Sequence, residues 1–258
     1  MVCFKIFTFS KRCKIFFIFW LIFATNTFSV EKDSIDYYLS KLDEQLLNKD
    51  EYEQMKRKKI QALKGKLALV LDSETKYEVY GALFNEYQSY NYDSAFVYAN
   101  RMMELALQLD DMLKLTDARL MAAYSCTSAG LFLEAKELLH AIDSTSLDTA
   151  HKLGLYSSYS KLYLDMALAI RHDPYERFYY EQSIRYSELI IEAKGEIEPL
   201  GMLQLINIYR CRQQYDKAIE ATQKFLSSVQ VDERSRTLCL GGMGMFYLFS
   251  GDTVKAVT

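Results

Sequence analysis

The side chains in this sequence that most often bind metals or transfer protons are few and widely separated. The three histidines, His140, His151 and His172, have no partner at HxxxH or HExxH spacing. The acidic pair Asp110-Asp111 stands at the end of a predicted helix, where carboxylates are ordinarily solvated. We therefore predict surface or capping histidines, no metal site and no acid–base pair.

Two common sequence motifs for ligand binding and catalysis are also incomplete or absent. The segment Gly241-Gly242-Met243-Gly244 resembles a phosphate-binding loop, but no strand pattern precedes it and no GK[ST] follows. The sequence contains no GxSxG elbow for a nucleophilic serine. We therefore expect no nucleotide or other cofactor, no catalytic residue and no enzymatic activity.

The cysteines favour packing over redox chemistry. Cys126, Cys211 and Cys239 each lie inside a helical pattern, without CxxC spacing and in an odd number, while Cys3 and Cys13 fall in the N-terminal segment. Free cysteines of this kind are usually small buried hydrophobes. We predict that role for all three.

Composition indicates a helical protein with enough apolar material for a core. Half of the 258 residues are hydrophobic, and only two prolines and ten glycines interrupt the chain. The first thirty residues hold four Lys or Arg and no acidic residue, which leaves 27 basic against 34 acidic residues in the remainder. Because phosphate contacts need clustered cations, we expect no nucleic-acid binding by that remainder.

The N-terminus has the pattern of an export signal. Basic residues precede the apolar run Ile15–Ala24, which at ten residues is shorter than the roughly 20 that span a bilayer. Thr27 and Ser29 suit cleavage before Val30, and cleavage after Ala24 is the alternative. An uncleaved anchor remains open, whereas a lipoprotein is disfavoured because no cysteine ends the run. We predict an exported, periplasmic protein with a signal peptide at residues 1–29.

The elements that would position any site are helical pairs, and the stretch Ala118–Ile142 displays one. Two apolar helical patterns meet at Ser128-Ala129-Gly130. Small residues, Ala122 and Ala123 before the turn and Ala135 after it, face larger ones across it. This arrangement lets two antiparallel helices approach closely and resembles a tetratricopeptide (TPR) helical pair.

The same pattern recurs along the chain. We predict helices at residues 34–48, 51–67, 75–90, 92–109, 151–170, 175–194, 200–213 and 215–227, and a last pair from about 237. The first two would cap the array. The helix at 175–194 lacks an alanine at the expected packing position, so its register stays open.

The spacing of the packing alanines indicates the length of the repeat. Ala95, Ala135, Ala218 and Ala256 are separated by 40, 83 and 38 residues, against about 34 in the standard repeat. The resemblance implies an all-α fold, a right-handed α–α superhelix (a TPR-like solenoid) of about five helical pairs. Residues 30–70 would be a capping pair and residues 71–258 the repeats. Because the fifth pair is cut short at Thr258, we expect the reading frame to continue in close relatives.

A narrower resemblance rests on three runs: LDEQLLNKDEYEQMKRKKIQALKGKL, YGALFNEYQSYNYDSAFVYANRMMELA and AGLFLEAKELL. They resemble the uncharacterised TPR regulators of Bacteroides-type bacteria, with the region from Tyr87 to Ala95 the most telling. The resemblance implies an exported sensor half of a regulator that also has a transmembrane helix, a coiled coil and a cytoplasmic DNA-binding end. Membrane attachment would come through the signal segment or through that C-terminal part.

In TPR arrays the first helices of successive pairs line a concave groove that binds ligands. Carried over residue by residue, the groove positions are Tyr80, Phe84 and Tyr87; Asp117, Leu120, Tyr124 and Thr127; and Leu203, Asn207 and Arg210. Such a surface suits a peptide, a protein or a glycan. The alternative is that many of these tyrosines pack between neighbouring helices.

We therefore predict a non-enzymatic interaction module, the sensory part of a membrane-anchored regulator. One rival is a surface glycan-capture protein built on TPR helices, which would normally need a lipoprotein cysteine. The other is a cytosolic TPR scaffold, which requires the segment Ile15–Ala24 to be something other than an export signal.

Overall fold

The computed structural model describes residue 40, residues 43–44, 46–228, 230–231 and 233–257. The predicted signal peptide lies outside these ranges, as does most of the helix predicted at 34–48. Every regular element in the described ranges is helical. Within these ranges no helix combines the length and the apolar character that crossing a bilayer requires.

The helices follow one another as antiparallel neighbours. In chain order they are α1 (Lys49–Leu69), α2 (Ser73–Tyr87), α3 (Tyr92–Gln108), α4 (Met112–Ser128), α5 (Phe132–His140), α6 (Thr149–Ile170), α7 (Tyr175–Lys194), α8 (Pro199–Cys211), α9 (Tyr215–Ser228), α10 (Glu233–Ser250) and α11 (Thr253–Val257). We number the pairs as units one (α2, α3), two (α4, α5), three (α6, α7), four (α8, α9) and five (α10, α11).

The main helix contacts join neighbours in the sequence, and α4 also packs against α6, the first helix of the next unit. The core is accordingly a series of buried clusters between successive helices. This arrangement is that of a helical-repeat solenoid. The predicted all-α fold class is confirmed. The domain boundaries at residues 30 and 71 stay predictions.

Short polar side chains cap the beginnings of several helices. The Oδ1 atom of Asp72 accepts a hydrogen bond from the Thr75 N–H at 2.7 Å. Asn91 and Asp148 accept equivalent bonds from Ser94 and His151, each at 2.9 Å. These caps satisfy backbone N–H groups that the first turn of a helix leaves unpaired.

The turns within units two, four and five share one conformation. A residue with positive φ (Gly130, Gln213 or Gly251) ends the first helix, and the next N–H donates to a carbonyl five residues back. The donor and acceptor pairs are Leu131 and Cys126 at 2.8 Å, Gln214 and Tyr209 at 2.9 Å, and Asp252 and Tyr247 at 2.9 Å. This is a Schellman closure.

In unit one, the hydrogen bond that closes the turn spans one residue fewer. There the Asn91 N–H donates to the Tyr87 carbonyl, only four residues back, at 2.9 Å. Tyr87 is therefore the structural equivalent of Cys126 in unit two. The first helix of unit one is displaced by one residue from the register that the alanine spacing predicts.

The predicted packing alanines lie between helices. Ala95, Ala135 and Ala218 have no exposed surface. Ala256 is half-buried, and its carbonyl oxygen lies 3.1 Å from where a Cβ on Gly244 would stand. Gly244 is therefore a close-packing position, because any larger residue would press against α11.

In unit three, serines replace the missing alanine. Ser183 and Ser187 of α7 have no exposed surface, and both face Ser160 of α6, which is 3% exposed. A serine is little larger than an alanine, so α6 and α7 still approach closely. This contact fixes the register that the sequence left open.

Candidate functional site

A cleft of about 230 Å³ opens between the first helices of units four and five, with α9 behind it. We call it the α8–α10 groove. It is lined by Leu203, Ile206, Asn207, Arg210, Thr222, Leu238, Cys239, Gly242 and Phe246. All three groove residues predicted in unit four belong to this lining, so these three are brought together in space.

The walls of the α8–α10 groove are mainly apolar. Leu203 is 39% exposed and Leu238 is 66% exposed, whereas Phe246 is buried in the floor. Cys239 is half-buried, and burial raises the pKa of its thiol, so the thiol is protonated at neutral pH. An apolar cleft with few polar groups is the usual form of a ligand site in proteins.

Asn207 lines the groove, but its side-chain amide bonds to residues in the protein interior. Its Nδ2 atom lies 3.0 Å from the Ser160 Oγ, 3.1 Å from the Ser183 Oγ and 3.0 Å from the Ser187 Oγ. The amide therefore directs its donors inward, away from the groove. This geometry does not favour hydrogen-bond donation from Asn207 to a ligand in the groove.

The three serines and Asn207 form a buried polar group that we call the serine cluster. The Ser183 Oγ donates to the Ser160 carbonyl at 2.9 Å, and the Ser187 Oγ donates to the Gln204 Oε1 at 2.9 Å. Satisfied buried networks of this kind fix the register of the helices that they join, here α6, α7 and α8. Sequence reasoning missed this cluster, although two serines four residues apart in a helix without a packing alanine were a usable signal.

The residues predicted in unit two lie along the contact between α4 and α6. The Asp117 Oδ1 is 3.4 Å from the His151 Nε2, and the Tyr124 ring has the Lys161 Nζ 5.3 Å from its centroid. Leu120 packs against Gly154, whose Cβ position would be 3.2 Å from the Leu120 Cδ1. These three side chains are half-buried and contact the next unit.

Thr127 requires a correction. It is only 4% exposed, because the last turn of α4 is enclosed by its neighbours. Its side chain is therefore part of the interior and does not line a surface.

His151 links two carboxylates across the boundary between units two and three. Its Nδ1 lies 2.8 Å from the Asp148 Oδ1, and this bond raises the pKa of His151. Hydrogen bonds from the His151 backbone N–H and from its ring lower the pKa of Asp148. Burial raises the pKa of Asp117 on the other side. A protonated His151 thus joins α6 to α4 electrostatically.

The residues predicted in unit one are out of register. Tyr80 and Tyr87 pack with Tyr98 of α3, with ring centroids 5.9 and 5.7 Å apart, and Phe84 is only 2% exposed. They face the second helix of their own unit because the hydrogen bond that closes this turn spans four residues instead of five. The predicted placement of Phe84 in an accessible groove is therefore wrong, and the equivalent positions lie one residue further along, at Gly81, Asn85 and Gln88.

Many tyrosines pack between helices, as the alternative interpretation proposed. Tyr159 of α6 stacks on Tyr186 of α7 with centroids 4.8 Å apart and ring planes 15° apart. Burial raises the pKa of Tyr159 to about 12. Tyr77 is also buried, and its hydroxyl donates to the Lys114 carbonyl at 2.7 Å.

A larger cleft of about 410 Å³ beside Tyr52 and Tyr90 is a weaker candidate. The basic side chains that line it already form ion pairs, since Lys56 lies 3.8 Å from Glu86 and Arg57 lies 3.0 Å from Glu53. No group of three or more His, Cys, Asp or Glu side chains that could hold a metal occurs in the part of the chain that the structure describes.

The sequence model of one family, described as the SusR N-terminal TPR domain, matches residues 46–258. A comparison with curated proteins gave no match. The matched region contains α1 to α11 and the whole α8–α10 groove. The match covers most of the chain and agrees with the stacked helical pairs described above. The chain therefore belongs to the family of SusR N-terminal TPR domains.

Proposed function

We propose that this chain is the non-enzymatic sensor module of an exported bacterial regulator and that it binds its ligand in the α8–α10 groove. The ligand would be a segment of a peptide or protein, or a glycan. One observation carries the proposal: Leu203, Asn207 and Arg210, predicted from repeat positions alone, line one cleft. TPR-type domains are interaction modules, which agrees with this use.

The chemistry of the groove supports binding without catalysis. None of the three histidines lines it, and the Cys239 thiol has a raised pKa, so no activated nucleophile stands in the cleft. Leu203 and Leu238 instead offer exposed apolar surface, whose burial by a ligand would stabilise a complex by roughly 25 cal/mol per Å².

Leu203→Glu tests the groove. The purified chain would be assayed against immobilised arrays of short peptides and of oligosaccharides, which also separates the two ligand classes. We expect the substitution to weaken array binding by about tenfold or more, because it places a charge on an apolar contact surface. Leu133→Glu is the matched control, since Leu133 is 67% exposed on α5 and far from the groove in sequence. Equal binding by both variants would contradict the proposal.

Export is a separate part of the proposal. It is supported by the basic residues and the apolar run Ile15–Ala24, which lie outside the described residues. A fusion of residues 1–35 to alkaline phosphatase tests it, because that enzyme folds to an active form only after export. We expect periplasmic activity, and its absence would favour the cytosolic scaffold.

A further inference from the structure

The stretches of α8 and α10 that line the α8–α10 groove contain no acidic residue in their sequence. The sequence from Pro199 to Gln214 and the sequence from residue 234 to residue 251 contain no Asp or Glu. Arg210 is the one charged side chain among the described residues that line the cleft. This local excess of positive charge stands out in a chain that is acidic after its first thirty residues.

Arg210 has no ion-pair partner within the described ranges. Arg212 lies 3.1 Å from Glu188 and Arg177 lies 3.2 Å from Asp173, whereas Arg101 and Arg185, like Arg210, form no ion pair there. What distinguishes Arg210 is its place in a cleft whose lining contains no carboxylate. Arg210 is half-buried, and the cleft that it lines is otherwise uncharged, so the lining offers its guanidinium no carboxylate. A planar guanidinium in such a place binds a carboxylate through two parallel hydrogen bonds.

The apolar lining favours a peptide over an acidic sugar. Leu203 and Leu238 provide alkyl surface that suits aliphatic side chains. The aromatic ring in the lining, Phe246, is only 5% exposed, so it offers no open face on which a sugar ring could stack. The groove therefore combines one carboxylate-binding group with alkyl walls.

We infer that the α8–α10 groove binds a short peptide segment in which a carboxylate is flanked by aliphatic side chains. The carboxylate pairs with Arg210 while the aliphatic groups contact Leu203 and Leu238. This inference rests on the proposed function, because it names the ligand of the same groove.

The test compares two fluorescently labelled hexapeptide pools by anisotropy. One pool is randomised among Leu, Ile, Ala, Ser and Glu, and the matched pool has Gln in place of every Glu. We expect the Glu pool to bind about tenfold more tightly to the unaltered chain, because a hydrogen bond to a charged group contributes about that factor. Arg210→Gln should remove this preference.

Arg212→Gln is the matched control. It removes the same charge two residues away, from a side chain that does not line the groove, and should leave the preference unchanged. Thermal melts of both variants verify folding. An equal loss of preference in both variants would overturn the inference, because non-specific attraction would then account for it.

The remaining outcomes separate this inference from the proposed function. Equal binding of the two pools that is lost in Leu203→Glu would overturn the carboxylate assignment and leave the groove in place. Failure of both pools to bind, or binding that Leu203→Glu does not weaken, would overturn the inference together with a peptide-binding groove.

Discussion

Asn207 illustrates how one side chain joins the candidate site to the fold. The sequence predicted its position beside the groove, because repeat periodicity determines which residues share a helix face. The sequence did not predict its partners, because Ser160, Ser183 and Ser187 come from two other helices at separations of 20 to 47 residues. Hydrogen bonds between distant residues have no local signature.

The Asn207→Ala substitution tests the serine cluster. It removes the donor that three buried hydroxyls share, so we expect the free energy of unfolding to fall by about 1–3 kcal/mol. Denaturant unfolding monitored by circular dichroism measures this value. Asn85→Ala, at an exposed asparagine of α2, should change it little. A loss of the same size in both variants would show that the cluster is not stabilising.

Gln213 occupies a left-handed backbone position that Gly130 and Gly251 fill in the equivalent turns. Its φ of 56° is strained for a residue with a Cβ. We expect Gln213→Gly to raise the free energy of unfolding by up to about 1 kcal/mol. Gly130→Ala should lower it, because φ there is 80°. Chemical denaturation of the two variants provides the comparison, and changes of the same sign would contradict the assignment of strain.

At the scale of elements, the sequence predicted the positions of the helices well, but it predicted the register of one helix, α2, incorrectly. The predicted helix at 175–194 has the observed limits of α7, because its proline and glycine boundaries are local signals. The face of α2 was misassigned, because the hydrogen bond that closes the turn spans four residues instead of five, which leaves the alanine spacing intact while rotating the preceding helix. The hydrogen bond from Asn91 to Tyr87 reveals this difference.

Gly201 tests how closely α8 approaches the segment that precedes it. A Cβ at this position would overlap the carbonyl oxygen of Gly195, which is a backbone atom and not the end of a flexible side chain. We therefore expect Gly201→Ala to lower the free energy of unfolding by roughly 1–3 kcal/mol. Gly65→Ala is the control, since nothing lies within 4 Å of its Cβ position in α1. It should stabilise the helix by about 1 kcal/mol, and a neutral Gly201→Ala would contradict the packing.

The His151 bridge between α4 and α6 predicts a pH dependence. Because Asp148 raises the pKa of His151 above its ordinary 6.5, the folded state binds this proton more tightly than the unfolded state. Its contribution is complete below 6.5 and is lost as pH rises through the folded pKa. The lowered pKa of Asp148 affects the stability of the folded state only at more acidic pH. Melting temperatures of the unaltered chain and His151→Gln should therefore converge as pH rises above neutrality.

The exposed His172 provides the control for this series. A His172→Gln variant keeps the bridge and should follow the unaltered chain at each pH. A difference between the unaltered chain and His151→Gln that does not depend on pH would contradict an ionic bridge.

At the scale of the whole molecule, each unit packs chiefly against its neighbours, so stability is close to a sum of local interfaces. The composition and the recurring alanines were sufficient to predict this architecture. The predicted groove positions all line an accessible cleft only in unit four. In unit two the helix face that was predicted to line the groove packs against α6. In unit one the first helix is rotated, so that the predicted residues face α3.

The central claim, that the α8–α10 groove is the binding surface, has a direct test in the alkylation rate of Cys239. The rate is read by mass spectrometry on its tryptic peptide at mildly alkaline pH, because burial raises the thiol pKa. Cys126 and Cys211 are buried and serve as internal standards. We predict that a saturating amount of the Glu-containing peptide pool slows alkylation of Cys239 alone. An unchanged Cys239 rate while anisotropy shows the pool bound would contradict the account.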